Sequence, residues 1–419
     1  MKVLVIGLGY IGLPTAATLA ARQVTVIGVD VNQHVFDTIS QGGVHFVEPE
    51  LDILVRGVVQ SGYLRVAKKL EKADYFIVAV PTPFKGSYEP DLSYIESATK
   101  AIAPLLEKGN MVILESTSPV GTTEQMMGWM QQVRPDLVFP VFGADGSDAD
   151  ISIAHCPERV LPGNVLSELV ENDRIIGGVT TQCAERAREF YKIFVEAECL
   201  VTDCRTAELG KLVENSFRDV NIAFANELSL ICDKLNINVW ELIKLANRHP
   251  RVNILKPGPG VGGHCVAVDP WFIVNSAPDE ARLISTARLV NDSQPYFVLE
   301  KINQAATSTG KKKSELKIAC LGLAFKANVN DLRESPALEI AKQVGLMGFA
   351  KQYLVEPNID EMPTEFDAQN TELVDLRIAL KDADMVLLLV DHNSFKALDL
   401  RLLTGKLVID TRGIWASYP

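Results

Sequence analysis

Residues 1–32 read MKVLVIGLGYIGLPTAATLAARQVTVIGVDVN, and this stretch decides the fold. Val3 to Ile6 is a short apolar run of strand type, followed by Gly7, Gly9 and Gly12 in GxGxxG spacing. An alanine-rich helical segment comes next, then a second apolar run, Val24 to Val29, that ends in Asp30. Strand, glycine turn, helix, strand and acid in this order form the dinucleotide-binding fingerprint in its required context. Gly7 permits the turn, Gly9 lets the backbone meet a pyrophosphate, and Gly12 lets helix pack on strand. The amides at the helix start suit phosphate oxygens, and Tyr10 and Ile11 lie in the same turn. Asp30, 18 residues after Gly12, can accept from ribose hydroxyls and would repel a 2′-phosphate. The expected cofactor is therefore NAD, with Gly7, Gly9, Tyr10, Ile11, Gly12 and Asp30 as contacts.

The alternation of strand and helix patterns continues downstream. Ala73 to Val80 runs into Pro81-Thr82-Pro83, and Met111 to Leu114 runs into Glu115-Ser116-Thr117-Ser118-Pro119. Open parallel sheets bind ligands beyond such strand ends, so Thr82, Ser116 and Thr117 are supporting cofactor sites. Val141 to Asp150, VFGADGSDAD, reads as a surface loop. Ile151 to Ala154 is a further strand pattern, so Glu158 of the following HCPER reads either as a solvated loop acid or as a residue facing the same crevice.

The carboxyl end echoes the amino end. LKIACLGLAFK (316–326) parallels MKVLVIGLGYI, DADMVLLLV (382–390) parallels KADYFIVAV, and GKLVIDTRG (405–413) parallels GNMVILEST. The expected class is α/β, with two Rossmann-like doubly wound domains joined by a central long-helix domain. The expected boundaries are 1–202, 203–305 and 306–419. Thr202 or Asp203 caps a long helix running to about Leu235. Along it Glu208, Lys211, Asn215 and Arg218 recur at spacings of three and four and form one polar stripe. Leu209, Leu212, Phe217, Val220, Phe224 and Leu228 are free to pack elsewhere.

Length, composition and charge narrow the function. A chain of 419 residues suits two or three domains. With 47% hydrophobic and 22% charged residues it is globular, and no apolar run reaches membrane-spanning length. Met1 leads straight into a strand, so no signal peptide is expected. Seven scattered cysteines argue against a disulfide framework and for a reducing cytoplasm. No metal site is expected, and a net charge of −12 argues against nucleic acid as a partner.

In GPGVGGHCVAVDPW (258–271) a thiol follows a glycine run, where it can attack a carbon that a cofactor has just oxidised. Cys265 follows a glycine run that lets backbone approach a ligand. Asp269 sits four positions later, on the same face if the segment is helical. By itself the segment reads more readily as a tight turn with a buried thiol.

GLGYIGLP, AELGKLVENSFRDVNIAFANE, GVGGHCVAVDP and LGLAFKANVNDLRESPA occur in that order and span the chain. Together they resemble the UDP-glucose/UDP-N-acetylmannosamine dehydrogenase family, and NRHPRVNILKPGPGVGGHCVAVDPWF resembles its branch acting on N-acetylated sugars. The resemblance implies a four-electron, NAD-dependent oxidation of a UDP-sugar at C6, a central helix supporting homodimers, and a carboxyl-terminal UDP-binding domain. It implies that Cys265 traps the aldehyde as a thiohemiacetal and then a thioester. Lys211 and Asp269 would hold a water that takes the alcohol proton. Lys211 and Asn215 would stabilise the developing oxyanion, Glu158 would aid hydrolysis, and Thr117 would sit beside the water. Glu158, Arg159, Lys211, Asn215, Arg251, Asn253, Gly260, Gly262, Phe325 and Lys326 would contact the UDP-sugar, and Arg333 would contact NAD. Two rival classes stand beside this one: a two-electron hydroxyacid-type dehydrogenase in which Cys265 is incidental, and a non-catalytic nucleotide sensor.

Overall fold

The computed structural model describes residues 1–419 except 87, 145–147, 162, 264, 368 and 416–419. The Val141–Asp150 loop therefore lies partly outside the described residues. The chain divides into two compact units, Met1–Glu214 and Asn215–Pro419.

The first unit is built on β1 (Lys2–Ile6), β2 (Thr25–Val29), β3 (Leu64–Val66), β4 (Tyr75–Val78), the short pair β5 (Phe84–Lys85) and β6 (Glu89–Pro90), β7 (Met111–Leu114), β8 (Ser152–His155), β9 (Arg174–Gly178) and β10 (Cys199–Asp203). Eight of these form one sheet in the order β10-β9-β8-β7-β4-β1-β2-β3. Its pairings are parallel except for β8 with β9. Helices cover both faces, which explains why these strands read as continuous apolar runs rather than alternating ones. Val3 and Val5 enter one core with Leu13, Ala16, Ala17 and Ala20, while Leu4 and Ile6 enter the other with Phe76 and Val78. The chain reverses its winding between β1 and β4, which puts a crevice at the carboxyl ends of those two strands.

In the second unit, β11 (Lys317–Leu321), β12 (Lys351–Val355), β13 (Thr371–Leu373), β14 (Met385–Leu388) and β15 (Leu407–Asp410) form a wholly parallel sheet in the order β13-β12-β11-β14-β15. The three echoed segments are thus β11, β14 and β15, standing as β1, β4 and β7 stand in the first sheet. Ile318 and Cys320 face one core, Ala319 and Leu321 the other.

A helix runs from Cys204 to Lys234. Asp203, rather than Thr202, caps it by accepting from the Thr206 amide at 2.9 Å and the Thr206 hydroxyl at 2.6 Å. Helix Arg282–Ser308 lies beside its later turns. Arg288, 2% exposed, bridges Asp219 at 2.5 Å and also reaches Asp292. Asn291 donates to Asp219 at 2.8 Å, and Asn226 donates to Asn291 at 2.8 Å. Asn226 also accepts from the Gly258 amide at 2.9 Å. This buried polar chain fixes the start of the glycine-rich segment to the helix pair.

The expected polar stripe keeps to one side of the helix but is unevenly buried, with Glu208 and Asn215 buried, Lys211 half-buried and Arg218 exposed. Glu208 is buried and turned into the first unit, where it accepts from the amides of Gly121 and Thr123 at 2.6 and 2.7 Å. A carboxylate able to satisfy backbone donors displaced it from solvent. Of the apolar set, Leu212 is buried, while Leu209, Phe217 and Phe224 are exposed.

Candidate active site

The glycine turn after β1 has the three roles its spacing predicts. Gly7 adopts φ +88°, and a Cβ there would overlap the Ala79 carbonyl. A Cβ on Gly12 would overlap the Gly7 carbonyl, so helix Gly12–Ala21 could not approach its strand. Gly9 has open space where a Cβ would project. The residues therefore fit a dinucleotide: a cradle at Gly9, helix amides behind it, and a carboxylate at the tip of β2. Asp30 accepts from the Leu8 amide at 2.9 Å and the Asn32 amide at 2.8 Å, so it shapes the turn. Tyr10 stacks on Phe46, with ring centroids 4.1 Å apart.

At the crevice edge the loops after β4 and β7 are tied together. Thr82 donates its hydroxyl to the Thr117 carbonyl at 2.6 Å, and Ser116 donates to the Val80 carbonyl at 2.7 Å. Both side chains thus brace the two strand ends that the cofactor reading needs.

Glu158 lies just past β8, 7% exposed. Its Oε2 accepts from Arg174 at 2.7 Å and its Oε1 from the Arg159 amide at 2.7 Å. Arg174 opens β9, is itself buried, and lies over the rings of Tyr191 and Phe194 at 5.0 and 5.5 Å. Behind this pair Glu115 accepts from Tyr191 at 2.6 Å and from Thr15 at 3.3 Å. Burial pushes the Glu115 carboxyl from 4.5 up to about 7. Between those two values the folded chain keeps a proton that the unfolded chain releases, so stability falls as pH rises through that window. The contribution is on the order of 3 kcal/mol. Melting temperatures from pH 5 to 8 should fall less steeply for Glu115→Gln than for the parent; parallel profiles would show that Glu115 stays ionised.

The long helix carries Lys211 in the first unit and Asn215, one turn later, in the second. Lys211 is half-buried, while Asn215 and Asp269 are buried. Asn215 Nδ2 donates to Asp269 Oδ2 at 2.5 Å. Asp269 begins helix Asp269–Ser276. Cys265 lies ahead of that helix and is joined to it by one turn, its carbonyl accepting from the Asp269 amide at 2.9 Å. The thiol residue is exposed. The sequence alternative of a buried structural cysteine is thereby overturned, and only the acid of the pair is helical.

The glycines before Cys265 are set by the chain's own packing. A Cβ on Gly260 would come within 2.9 Å of Pro336, one on Gly262 within 2.6 Å of Pro336, and one on Gly263 within 2.9 Å of the Phe325 ring. Their Cβ sides face segment 325–336 of the second sheet's first turn. Arg251 and Asn253 are exposed on a loop pinned by Asn247, which bonds both backbone groups of Ile254 at 2.7 and 2.9 Å. Lys326 and Arg333 are exposed, and Arg333 grips Asp331 through two bonds of 2.9 and 2.7 Å. Arg159 is bonded to Glu214 at 2.6 Å.

Two residues escaped the sequence reading. Arg174 could have been found as a lone cation opening a buried apolar strand, RIIGG. Arg412 lies past β15, with its guanidinium where a Gly258 Cβ would project; Asp391 Oδ1 accepts from its Nε at 3.2 Å and its Nη2 at 3.1 Å. Only the segment's echo of GNMVILEST hinted at a strand-end site there.

Two nucleotide-type sheets, the first with a dinucleotide turn, define the class of a nucleotide-dependent dehydrogenase. The chain belongs to the UDP-glucose/GDP-mannose dehydrogenase family, NAD-dependent dehydrogenases of nucleotide sugars. The family's NAD binding domain matches residues 1–195, its central domain 205–293 and its UDP binding domain 319–417. Over 415 residues the chain is 58% identical to UDP-N-acetyl-D-mannosamine dehydrogenase of Escherichia coli K12, covering 98% of each. Over 413 residues it is 59% identical to NDP-N-acetyl-D-galactosaminuronic acid dehydrogenase of Ralstonia nicotianae, covering 99% of this chain and 96% of that one. Among solved structures, UDP-N-acetyl-mannosamine dehydrogenase of Staphylococcus aureus superposes with a TM-score of 0.84 at 42% identity, covering 99% of this chain and 95% of that one. The UDP-D-ManNAc dehydrogenase of Pyrococcus horikoshii gives 0.87 at 37% identity, covering 99% and 96%. Among the described residues no helix is long and apolar enough to cross a membrane.

Proposed function

We propose that this protein oxidises UDP-N-acetyl-D-mannosamine at C6 to the uronate through a thioester on Cys265, and that it works as a homodimer in the cytoplasm. The observation that carries the reading is the exposed Cys265 one turn ahead of the buried Asp269–Asn215 pair, in a chain whose relatives of 58% identity are named for that substrate. NAD, when bound at the Gly7–Gly12 turn, takes up the hydride of each oxidation. Lys211 and Asp269 hold the water that accepts the alcohol proton, and Thr117 sits beside it. The sulfur of Cys265 adds to the aldehyde carbon and keeps it covalently bound until the second oxidation leaves a thioester. Lys211 and Asn215 project from successive turns of one helix. Asp269 fixes the Asn215 amide, so that donor is oriented before the oxyanion develops. Glu158, held by Arg174, assists the water that frees the uronate. Arg159, Arg251, Asn253, Gly260, Gly262, Phe325 and Lys326 contact the UDP-sugar, Arg412 adds a cation beside Gly258, and Arg333 contacts NAD. The division 1–202, 203–305 and 306–419 assigns these tasks to cofactor, helical and UDP-sugar parts.

A panel of UDP-N-acetylmannosamine, UDP-N-acetylglucosamine, UDP-N-acetylgalactosamine and UDP-glucose tests the substrate. The expected result is the highest kcat/KM for the first, with two NADH per uronate. The Ralstonia relative supports a second reading, and a preference for the galactosamine sugar would establish it. A preference for UDP-glucose would overturn the N-acetyl assignment, and one NADH with free aldehyde would overturn the covalent route.

Asp30→Ala should weaken NAD binding by roughly tenfold or more, the scale of one lost charged hydrogen bond, and narrow the preference for NAD over NADP. Titrations of both cofactors check this, and equal affinities in the parent would remove Asp30 from the ribose site. The dimer reading rests on the later turns of the long helix, where Phe217, Phe224 and Ile231 are 68%, 55% and 44% exposed. Apolar exposure of this kind marks an interface. Phe224→Glu should shift sedimentation towards monomer, and an unchanged dimer would place the interface elsewhere.

A further inference from the structure

The second sheet repeats the first turn bond by bond, and it departs at the acid. Gly7 donates to the Val29 carbonyl at 2.9 Å, and Gly322 donates to the Val355 carbonyl at 2.8 Å. Gly7 has φ +88° and Gly322 has φ +91°. The Leu8 amide donates to Asp30 at 2.9 Å, and the Leu323 amide donates to Glu356 at 2.8 Å. Asp30 is only half-buried at the end of its strand, but Glu356 is 5% exposed. Its Oε2 also accepts from the Ala324 amide at 3.1 Å and from His392 Nε2 at 3.0 Å. Its Oε1 accepts from the Asn358 amide at 3.2 Å and the Asn358 side chain at 3.0 Å. The acid at the ribose position of this second fold is therefore consumed internally and holds the loop instead of a ligand.

His392 is the wedge that seals it, 1% exposed just past β14. Its Nδ1 accepts from the Asn328 amide at 2.9 Å and lies 3.2 Å from the Asn358 side-chain amide. Two donors aimed at Nδ1 leave the ring proton on Nε2, the atom that faces Glu356. Asn328 stands in the left-handed region at φ +61°, and its Oδ1 accepts from the Asn393 amide at 3.0 Å. Glu356 thus grips the loop at 323 and 324, and His392 grips it at 328. Between the two grips lie Phe325, whose ring abuts Gly263, and Lys326.

We propose that His392 is a positioning residue for the UDP part of the substrate: through the Asn328 amide it sets where Phe325 and Lys326 stand. The proposal rests on the reading of Phe325 and Lys326 as substrate contacts. The two bonds of the ring are not equal. Without the Nε2 donor, Glu356 Oε2 keeps two backbone amides; without the Nδ1 acceptor, the Asn328 amide, whose bond to the ring is part-buried, loses its ring partner. His392→Asn offers an oxygen near Nδ1, whereas His392→Gln offers a donor near Nε2.

Steady-state kinetics of the full-length enzyme, with UDP titrated calorimetrically, provide the test. His392→Gln should raise the KM for the UDP-sugar and the Kd for UDP roughly tenfold, equal to about 1.4 kcal/mol. Its kcat and NAD affinity should stay near the parent's. His392→Asn should recover most of the loss, and adding Lys326→Ala to His392→Gln should cost less than the two single effects combined. An unchanged KM in His392→Gln would overturn the proposal, as would a larger loss in the Asn variant or a fall in kcat at constant KM. If Lys326→Ala alone leaves KM unchanged while His392→Gln raises it, positioning by His392 stands and the assignment of Lys326 fails.

Discussion

Cys265→Ser should lose at least on the order of 10³-fold in kcat, more than one oxyanion-hole donor typically supplies. The residue is exposed, and serine is close to cysteine in size. Serine should fit without rearrangement, and the melting temperature should hardly change. NAD affinity should also survive, because the Gly7–Gly12 turn belongs to the first unit. A serine hydroxyl is a poor nucleophile without an activating base, so the aldehyde is no longer held and a single turnover should stop at one NADH. Counting NADH per sugar in a rapid-quench experiment separates the outcomes. Two NADH at near-parental rate would take Cys265 out of the mechanism and favour a two-electron enzyme in which the thiol is incidental.

The second large effect is on stability. Arg174→Leu should cost about 3–5 kcal/mol, because Glu158 would be left buried without its cation. Arg174 is 4% and Glu158 7% exposed, and the guanidinium also lies over the rings of Tyr191 and Phe194. Lysine should not rescue it, since an ammonium has no planar fork to stack on two rings while meeting a carboxylate. The first calorimetric transition should drop by on the order of 10 °C. Adding Glu158→Gln should restore much of that loss, because no unpaired charge remains. If Arg174→Leu melted within a degree or two of the parent, water would have to reach Glu158 and the carboxylate would not be pinned.

Local pattern was enough for the architecture. GxGxxG between two apolar runs, with an acid at the end of the second, is one βαβ unit whose turn has no room for a Cβ at Gly7 or Gly12. The echo at Leu316–Lys326 was legible for the same reason: a parallel strand covered on both faces must be apolar throughout. The exact capping residue was not legible, since Thr202 and Asp203 are both good caps and only the backbone path selects Asp203.

Spacing alone failed where a side chain had a choice of partner. On the long helix, Glu208 sits on the polar side of the sequence pattern, yet it is buried on the amides of Gly121 and Thr123, 87 and 85 residues away in the chain. Phe217 and Phe224 are exposed, because helix Arg282–Ser308 meets the long helix through Asp219 and Asn226 instead. Glu356 occupies the same place in its βαβ unit as Asp30 does in the first. Whether such an acid faces a ligand or is closed by a histidine 36 residues later depends on contacts between strand ends, which no local pattern contains. Periodicity and turn chemistry thus determined the two sheets and the cofactor turn. Tertiary structure decided which polar groups are buried and which are left for chemistry, because burial is a property of neighbours distant in sequence.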